Sequence, residues 1–164
     1  TGAYHIVRLG EGKDTGLDPA DRVRTLEVIK DSGLDLYYCV EPIGPEHTAE
    51  EIVEEMFRGK EYEAAVMAAM RRIPVPGTPM AVRGKISELE LARITAITRL
   101  MMGNGIRAMG VHEPSLLSLV AGANQIYAET GSSPRDTVED TSRGRGFTVA
   151  DAQRMLAEAG YRVA

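Results

Sequence analysis

The sequence is poor in several residue types, and each shortage excludes a class of protein. A single cysteine, Cys39, excludes an internal disulfide and is typical of the reducing cytoplasm. A net charge of −5 provides no basic surface that could neutralise phosphates, so we expect no nucleic-acid partner. No run of about 18 apolar residues occurs, and we therefore expect no segment that crosses a membrane.

What the sequence does contain is the composition of a globular domain. Hydrophobic residues make up 43% and charged residues 26% of its 164 residues. A chain of this length is expected to form one domain that buries roughly two thirds of its unfolded surface. The chain starts without methionine, directly before a predicted strand, and this start predicts a fragment or a split subunit of a larger protein.

One strand–turn–helix unit organises the predictions for the rest of the chain. Residues 36–40 are rich in β-branched and aromatic side chains and predict a strand, which proline and glycine follow. Thr48, with Glu51 three residues later, predicts a capping box that opens a helix. The turn between them carries Glu41 and Gly44, and ligands of α/β folds gather at such strand ends. The predicted apolar face of the helix comprises Ile52, Val53, Met56 and Phe57.

Strands and helices alternate on both sides of that unit. Five strands, each followed by a helix and without a hairpin signal, predict a parallel sheet. An apolar helix at 114–120 is expected to be buried, and an amphipathic helix at 148–160 closes the chain. A complete TIM barrel has eight such units, so five of them allow either an open α/β sheet or the C-terminal part of a barrel. The remaining predicted strands cover 3–9, a stretch ending near 71–72, 106–111 and 125–129, and the remaining helices cover 18–33 and 87–103. The predicted inward face of the last of these helices comprises Leu91, Ile94, Ile97 and Met101.

Four stretches, taken in order along the chain, carry a family resemblance. They are DPADRVRTLEVIKDSGL at 18–34, residues 39–46, IPVPGTPM at 73–80, and residues 91–130 with RLMM, IRAMGV and VAGANQIYAE. Together they resemble the biotin synthase branch of the radical S-adenosylmethionine (SAM) enzymes over residues 3–136. The resemblance implies a parallel (β/α) partial TIM-type barrel of five βα units plus a C-terminal helix. Residues 1–130 would form the C-terminal part of the barrel, and 131–164 a polar loop and the closing amphipathic helix.

The resemblance also implies a function for the intact protein. In this family a [4Fe-4S] cluster splits SAM, and the 5′-deoxyadenosyl radical takes hydrogen from a substrate inside the barrel. We therefore expect cofactor biosynthesis on a small-molecule or lipoyl-type substrate, by biotin- or lipoyl-type sulfur insertion or by hydrogenase-cofactor assembly. The cluster cysteines lie in the family's N-terminal half, whereas this chain has one cysteine. We expect this chain to be inactive alone, with an N-terminal half-barrel or partner subunit carrying the cluster cysteines.

A SAM site at the ends of the first two strands is part of what the resemblance implies. Arg8, whose guanidinium can clamp the methionine carboxylate, and Glu11, which can receive the amino group, follow the first strand. Glu41 and Gly44 follow the second strand, where the family's backbone faces SAM. An ion pair of Arg8 with Asp14 or Glu11 is the alternative, purely structural role.

A second set of residues is expected to bind substrate or metal. Cys39 and His112 fall where biotin synthase has ligands of an auxiliary iron–sulfur cluster, and imidazole is a competent iron ligand. Alternatively, Cys39 and His112 face the substrate, or they are a small buried hydrophobe and a hydrogen-bonding residue at a helix entrance. Arg71 and Arg72 are adjacent and face opposite sides of a strand, so at most one of them binds a substrate carboxylate. The predicted substrate-binding residues are His5, Arg71, His112 and Glu129.

A different class of function fits the same composition. The half-barrel would then be a non-catalytic module that holds a partner subunit or a small anion. In either case a partial barrel leaves two sheet edges and an inner face to be covered, and both features favour association. We therefore expect a homodimer or a domain contact across that face.

Overall fold

The computed structural model describes residues 19–74, 77, 81–128 and 147–162. Its elements are α1 Pro19–Asp31, β1 Tyr37–Ile43, α2 Ala49–Glu61, β2 Val66–Arg71, α3 Glu88–Met102, β3 Ala108–Val111, α4 Leu116–Val120, β4 Gln125–Ile126 and α5 Val149–Glu158. None of the described helices has the length and apolarity needed to cross a membrane. The predicted strand at 3–9 and the predicted loop at 131–146 lie outside the described residues.

The four described strands form one parallel sheet in the order β1–β2–β3–β4. A helix joins each consecutive pair of strands, as the alternation in the sequence predicts. The register places Cys39, Ala68 and Gly110 in one row across three strands, and Gln125 of β4 continues that row. The α/β class and the parallel sheet are confirmed, and they agree with part of a β/α barrel. The predicted division at residue 130 stays a prediction.

The main hydrophobic core lies between the sheet and the helices α2 and α3. Alternate strand residues point into it, because successive side chains of a strand face opposite sides. Tyr38 and Val40 enter the core from β1, and Met67 and Met109 enter it from β2 and β3. Burial of an apolar side chain of this size stabilises the fold by roughly 1.5–3 kcal/mol. The helices contribute Met56, Leu91, Ile94 and Met102, among others.

Strand β1 is longer than the sequence predicts. A proline cannot donate to a ladder, and for that reason the prediction ends at residue 40. The strand in fact continues through the cis peptide bond between Glu41 and Pro42 to Ile43, with an irregular register against β2. Glu41 therefore lies on the strand itself and not in the turn that follows.

Helix α2 has the predicted start but a different buried face. The capping box at Thr48 is present, with both of its hydrogen bonds. The prediction that Val53 and Phe57 belong to the buried face is wrong, since both are exposed, Phe57 to 57%. Glu55 is buried in their place, because its carboxylate accepts a hydrogen bond of 2.5 Å from the Tyr38 hydroxyl in the core.

Two further predictions of buried faces are wrong. In α3, Ile97 is exposed, whereas Thr95 and Thr98 are buried because their hydroxyls donate to carbonyl oxygens of the preceding turn. In α4, Leu119 is buried but Val120 is 74% exposed. Only one side of this short helix packs, in a small second core that β3 and α5 complete.

Candidate functional site

The face of the sheet opposite the core carries a group of polar and aromatic side chains. We define this site face by Tyr37, Cys39, Glu41, Ala68, Gly110 and His112. Tyr37, Cys39 and Glu41 alternate along β1 with the core residues and therefore point away from the core. Ala68 and Gly110 stand beside Cys39 in the row across the sheet, and their small size leaves room above β2 and β3. Side chains from β1 and from the end of β3 can therefore meet across β2.

The imidazole Nε2 of His112 lies at the centre of this group. It is 3.5 Å from Sγ of Cys39, 3.5 Å from Oη of Tyr37 and 3.7 Å from Oε2 of Glu41. The ligand atoms of Cys39, Glu41 and His112 all lie within 4.8 Å of one another. Cys39 is buried, whereas the side chains of Glu41 and His112 keep 18% and 29% of their surface exposed. Glu41 and His112, which the sequence predicts near strand ends, do lie together on the site face.

Two tyrosines that sequence reasoning missed enclose His112. The ring of Tyr127 stacks on the imidazole with centroids 4.6 Å apart, and the ring of Tyr37 approaches it edge-on at 6.2 Å. The two tyrosine hydroxyls hydrogen-bond to each other. A Cβ at Gly110 would lie 3.0 and 3.1 Å from these hydroxyl oxygens, so a side chain there would require them to shift by a few tenths of an ångström. The two-residue period that leads to Cys39 could have revealed Tyr37, whereas nothing in the sequence marks Tyr127.

The Cys39 thiol and the hydroxyls of Tyr37 and Tyr127 all have raised pKa values. Burial raises the pKa of the Cys39 thiol, and the neighbouring Glu41 carboxylate raises it further. Burial also raises the pKa of the Tyr37 hydroxyl, as does its hydrogen bond with Tyr127. The pKa of Tyr127 is raised as well, chiefly by burial. At neutral pH these three groups are therefore protonated, and Cys39 becomes a thiolate only where a cation replaces its proton.

Arg71 is engaged by an acidic partner on the core side of the sheet. It follows the core residue Ala69 by two positions and so shares its side of β2. Its Nη2 donates to the carboxylate of Glu113 at 2.5 Å, and its Nη1 donates to the carbonyl oxygen of Ile86 at 3.1 Å. The structure therefore places Arg71 on the opposite side of the sheet from His112, the one other predicted substrate residue that it describes.

Arg72 is buried beside the end of β1, and part of its guanidinium has no protein partner. Its Nη2 pairs with the carboxylate of Glu46. Nε and Nη1 of Arg72 are buried and have no hydrogen-bond partner among the described residues. A Cβ at Gly44 would lie 1.3 Å from Nη2, so the guanidinium fills the space of a missing side chain. The close approach that Gly44 is predicted to permit is thus made, within the chain, by Arg72.

The remaining predicted residues divide into those that the structure describes and those that it does not. His5, Arg8, Glu11 and Glu129 lie outside the described residues. Cys39 and His112, the two predicted auxiliary-cluster ligands, are in contact across the sheet. Their role as cluster ligands stays a prediction.

Comparison with known proteins connects this geometry to a family. No protein-family model matches the chain. The chain is similar to curated biotin synthases of Allorhizobium ampelinum (31% identity over 124 residues), Beijerinckia indica (31% over 116) and Rhizobium rhizogenes (32% over 123). These matches cover 65–66% of this chain but 35–36% of each relative. The chain therefore spans about a third of the length of the curated relatives that it matches.

Proposed function

From its membership of a biotin synthase-like family, we propose that this chain forms the C-terminal part of a radical SAM enzyme. The similarity to the biotin synthases is the observation that carries this proposal. In the proposed enzyme the site face binds SAM and substrate for 5′-deoxyadenosyl-radical chemistry in cofactor biosynthesis. Sulfur insertion of the biotin or lipoyl type and assembly of a hydrogenase cofactor are the candidate reactions.

The [4Fe-4S] cluster of such an enzyme does not fit this chain. A cluster of that type takes thiolates from several cysteines, and Cys39 is the one cysteine in the sequence. In the proposal the cluster cysteines belong to an N-terminal half-barrel or to a partner subunit, and this chain is inactive alone. The contribution of the chain is then to bind and orient the ligands.

The guanidinium of Arg72 and the carboxylate of Glu41, near the ends of β2 and β1, offer hydrogen-bonding groups that match those of SAM or of a carboxylate-bearing substrate. A buried donor without a partner costs about 1–3 kcal/mol, so an anion that reaches Nε and Nη1 of Arg72 would relieve that cost. The carboxylate of Glu41 can accept hydrogen bonds from an ammonium or hydroxyl group of the same ligand. We therefore propose Arg72, in place of Arg71, as the residue that binds a ligand carboxylate.

Anaerobic reconstitution tests the proposal. The intact protein, with the cysteine-bearing part in place, is loaded with iron and sulfide and assayed for 5′-deoxyadenosine formed from SAM. We expect deoxyadenosine from the intact protein and none from this chain alone. A fully loaded cluster that releases no deoxyadenosine would instead favour the non-catalytic binding module.

A further inference from the structure

The site face brings together three side chains whose atoms are common metal ligands. Cys39 and Glu41 come from β1, and His112 comes from the end of β3, so two separate strands position the set. Thiolate, carboxylate and imidazole together suit a zinc or iron(II) ion. The described residues contain no other group of three such side chains with atoms this close.

Two of the three ligand–ligand distances are close to those that a single tetrahedral ion requires. Metal–ligand bonds are about 2.3 Å long to sulfur and about 2.0–2.1 Å long to nitrogen or oxygen. With tetrahedral angles, a sulfur and a nitrogen ligand then lie about 3.5 Å apart, and a nitrogen and an oxygen ligand lie about 3.4 Å apart. Sγ of Cys39 lies 3.5 Å from Nε2 of His112, and Oε2 of Glu41 lies 3.7 Å from it. The third pair, Sγ of Cys39 and the carboxylate of Glu41, lies within 4.8 Å, and its closure to about 3.5 Å would complete the coordination.

The surroundings hold the three side chains in place and leave one side open. The stacked ring of Tyr127 fixes the plane of the His112 imidazole. His112 and Glu41 remain partly exposed, which gives an ion a path of entry. Three protein ligands would leave a fourth coordination position for water or another small ligand, as in catalytic metal sites.

The geometry points to a mononuclear divalent-metal site formed by Sγ of Cys39, a carboxylate oxygen of Glu41 and Nε2 of His112. It takes one transition-metal ion, zinc or iron(II), with the fourth position open to an exogenous ligand. This site differs from an auxiliary iron–sulfur cluster, because it uses Glu41 and needs neither sulfide nor a second thiolate. Its formation does not require SAM cleavage.

Cobalt(II) is the probe that tests the site directly. The purified chain is stripped with a chelator and titrated with Co²⁺, and the absorption spectrum is recorded at each step. We expect a thiolate-to-cobalt charge-transfer band that saturates at one ion per chain, together with the visible bands of tetrahedral cobalt. Zinc should displace the cobalt and abolish these bands.

Variants of the ligands and matched controls show which residues bind. Cys39→Ser should remove the charge-transfer band, and Glu41→Gln or His112→Ala should raise the Kd for cobalt by more than about 100-fold. The controls are Glu50→Gln and His47→Ala, which should leave the Kd unchanged. Circular dichroism verifies that each variant is folded.

One measurement needs no variant. A single equivalent of Zn²⁺ should slow the alkylation of Cys39 in the native chain at least tenfold. A folded chain with a reduced thiol, no charge-transfer band and no zinc protection would overturn the proposal. Metal bound only as two irons with labile sulfide would overturn it too, in favour of a cluster. The outcome for SAM cleavage leaves these readouts unaffected, so the two proposals fail separately.

Discussion

Arg71 and Arg72 show how differently two adjacent, identical residues can be used. Alternation along β2 directs them to opposite sides of the strand, and the sequence predicts that at most one faces a ligand. Arg71 pairs with Glu113 near the core, whereas Arg72 pairs with Glu46 and keeps two nitrogens without a protein partner among the described residues. The choice between them depends on two carboxylates from other parts of the chain, and a local pattern does not reveal those positions.

We expect Arg72→Met to weaken ligand binding in the intact enzyme. A hydrogen bond to a charged group contributes about 1.5–3 kcal/mol, so the Kd for SAM or substrate should rise roughly 10- to 100-fold. Isothermal titration calorimetry on the intact protein measures this change. Arg71→Met is the matched control, which should leave the Kd unchanged while it lowers stability. An Arg72→Met enzyme with wild-type affinity for both ligands would contradict the role of Arg72.

Gly44→Ala should displace the Arg72 guanidinium. The new Cβ would lie 1.3 Å from Nη2, and the arginine is too buried to move aside freely. We expect the free energy of unfolding in urea to fall by about 1–3 kcal/mol. Gly105→Ala is the control, since nothing lies within 4 Å of its added Cβ, and its effect should stay below about 0.5 kcal/mol. Equal stability of the two variants would show that the guanidinium relocates without cost.

Helix α2 shows what a helix start signal leaves undetermined. The capping box fixes where the helix begins, but the rotation of the helix depends on the sheet beneath it. Gly59 fits against the sheet because it has no side chain, since a Cβ there would lie 2.5 Å from Sδ of Met67. Glu55 faces the sheet because the Tyr38 hydroxyl donates a hydrogen bond to its carboxylate. Both partners belong to other elements. A count of apolar residues along the helix therefore selects the wrong pair of side chains.

Tyr38→Phe tests the energetic weight of that buried contact. The variant leaves the carboxylate of Glu55 buried without its hydroxyl donor, and the free energy of unfolding should fall by about 1.5–3 kcal/mol. Urea denaturation measures the loss. In Tyr38→Phe/Glu55→Gln the combined loss should be smaller than the sum of the two single losses, because the residues share one interaction. Strict additivity would mean that the contact contributes little.

At the scale of the whole molecule, the sequence predicts the fold better than it predicts the site. Strand–helix alternation is a local signal, and it correctly predicts the class and the parallel sheet. Cys39 and His112 were identifiable from the family resemblance, and Glu41 from its place directly after a predicted strand. Tyr127 was not identifiable, since its contact with His112 depends on the register of β4 against β3. The predicted homodimer stays a prediction.

The stability of the metal-free chain should depend on pH in the alkaline range. The unfolded thiol loses its proton near pH 8.5 and phenols near pH 10, whereas the folded chain keeps the protons of Cys39 and Tyr37 to higher pH. The folded state then binds more protons than the unfolded state, so the free energy of unfolding decreases as pH rises above about 8.5. Urea titrations between about pH 7 and 10, with chelator present, measure the slope. Cys39→Ser should make that slope shallower, and an unchanged slope would contradict this account of the thiol.

The central claim is that SAM and substrate bind on the site face of this sheet. The most direct measurement is a crystal structure of the intact protein with SAM bound. The account predicts electron density for the nucleoside and methionine against the site face, with a ligand oxygen within hydrogen-bonding distance of Arg72. Density for SAM on the helix-covered side, or at a position that leaves Arg72, Glu41 and His112 without ligand contact, would contradict it.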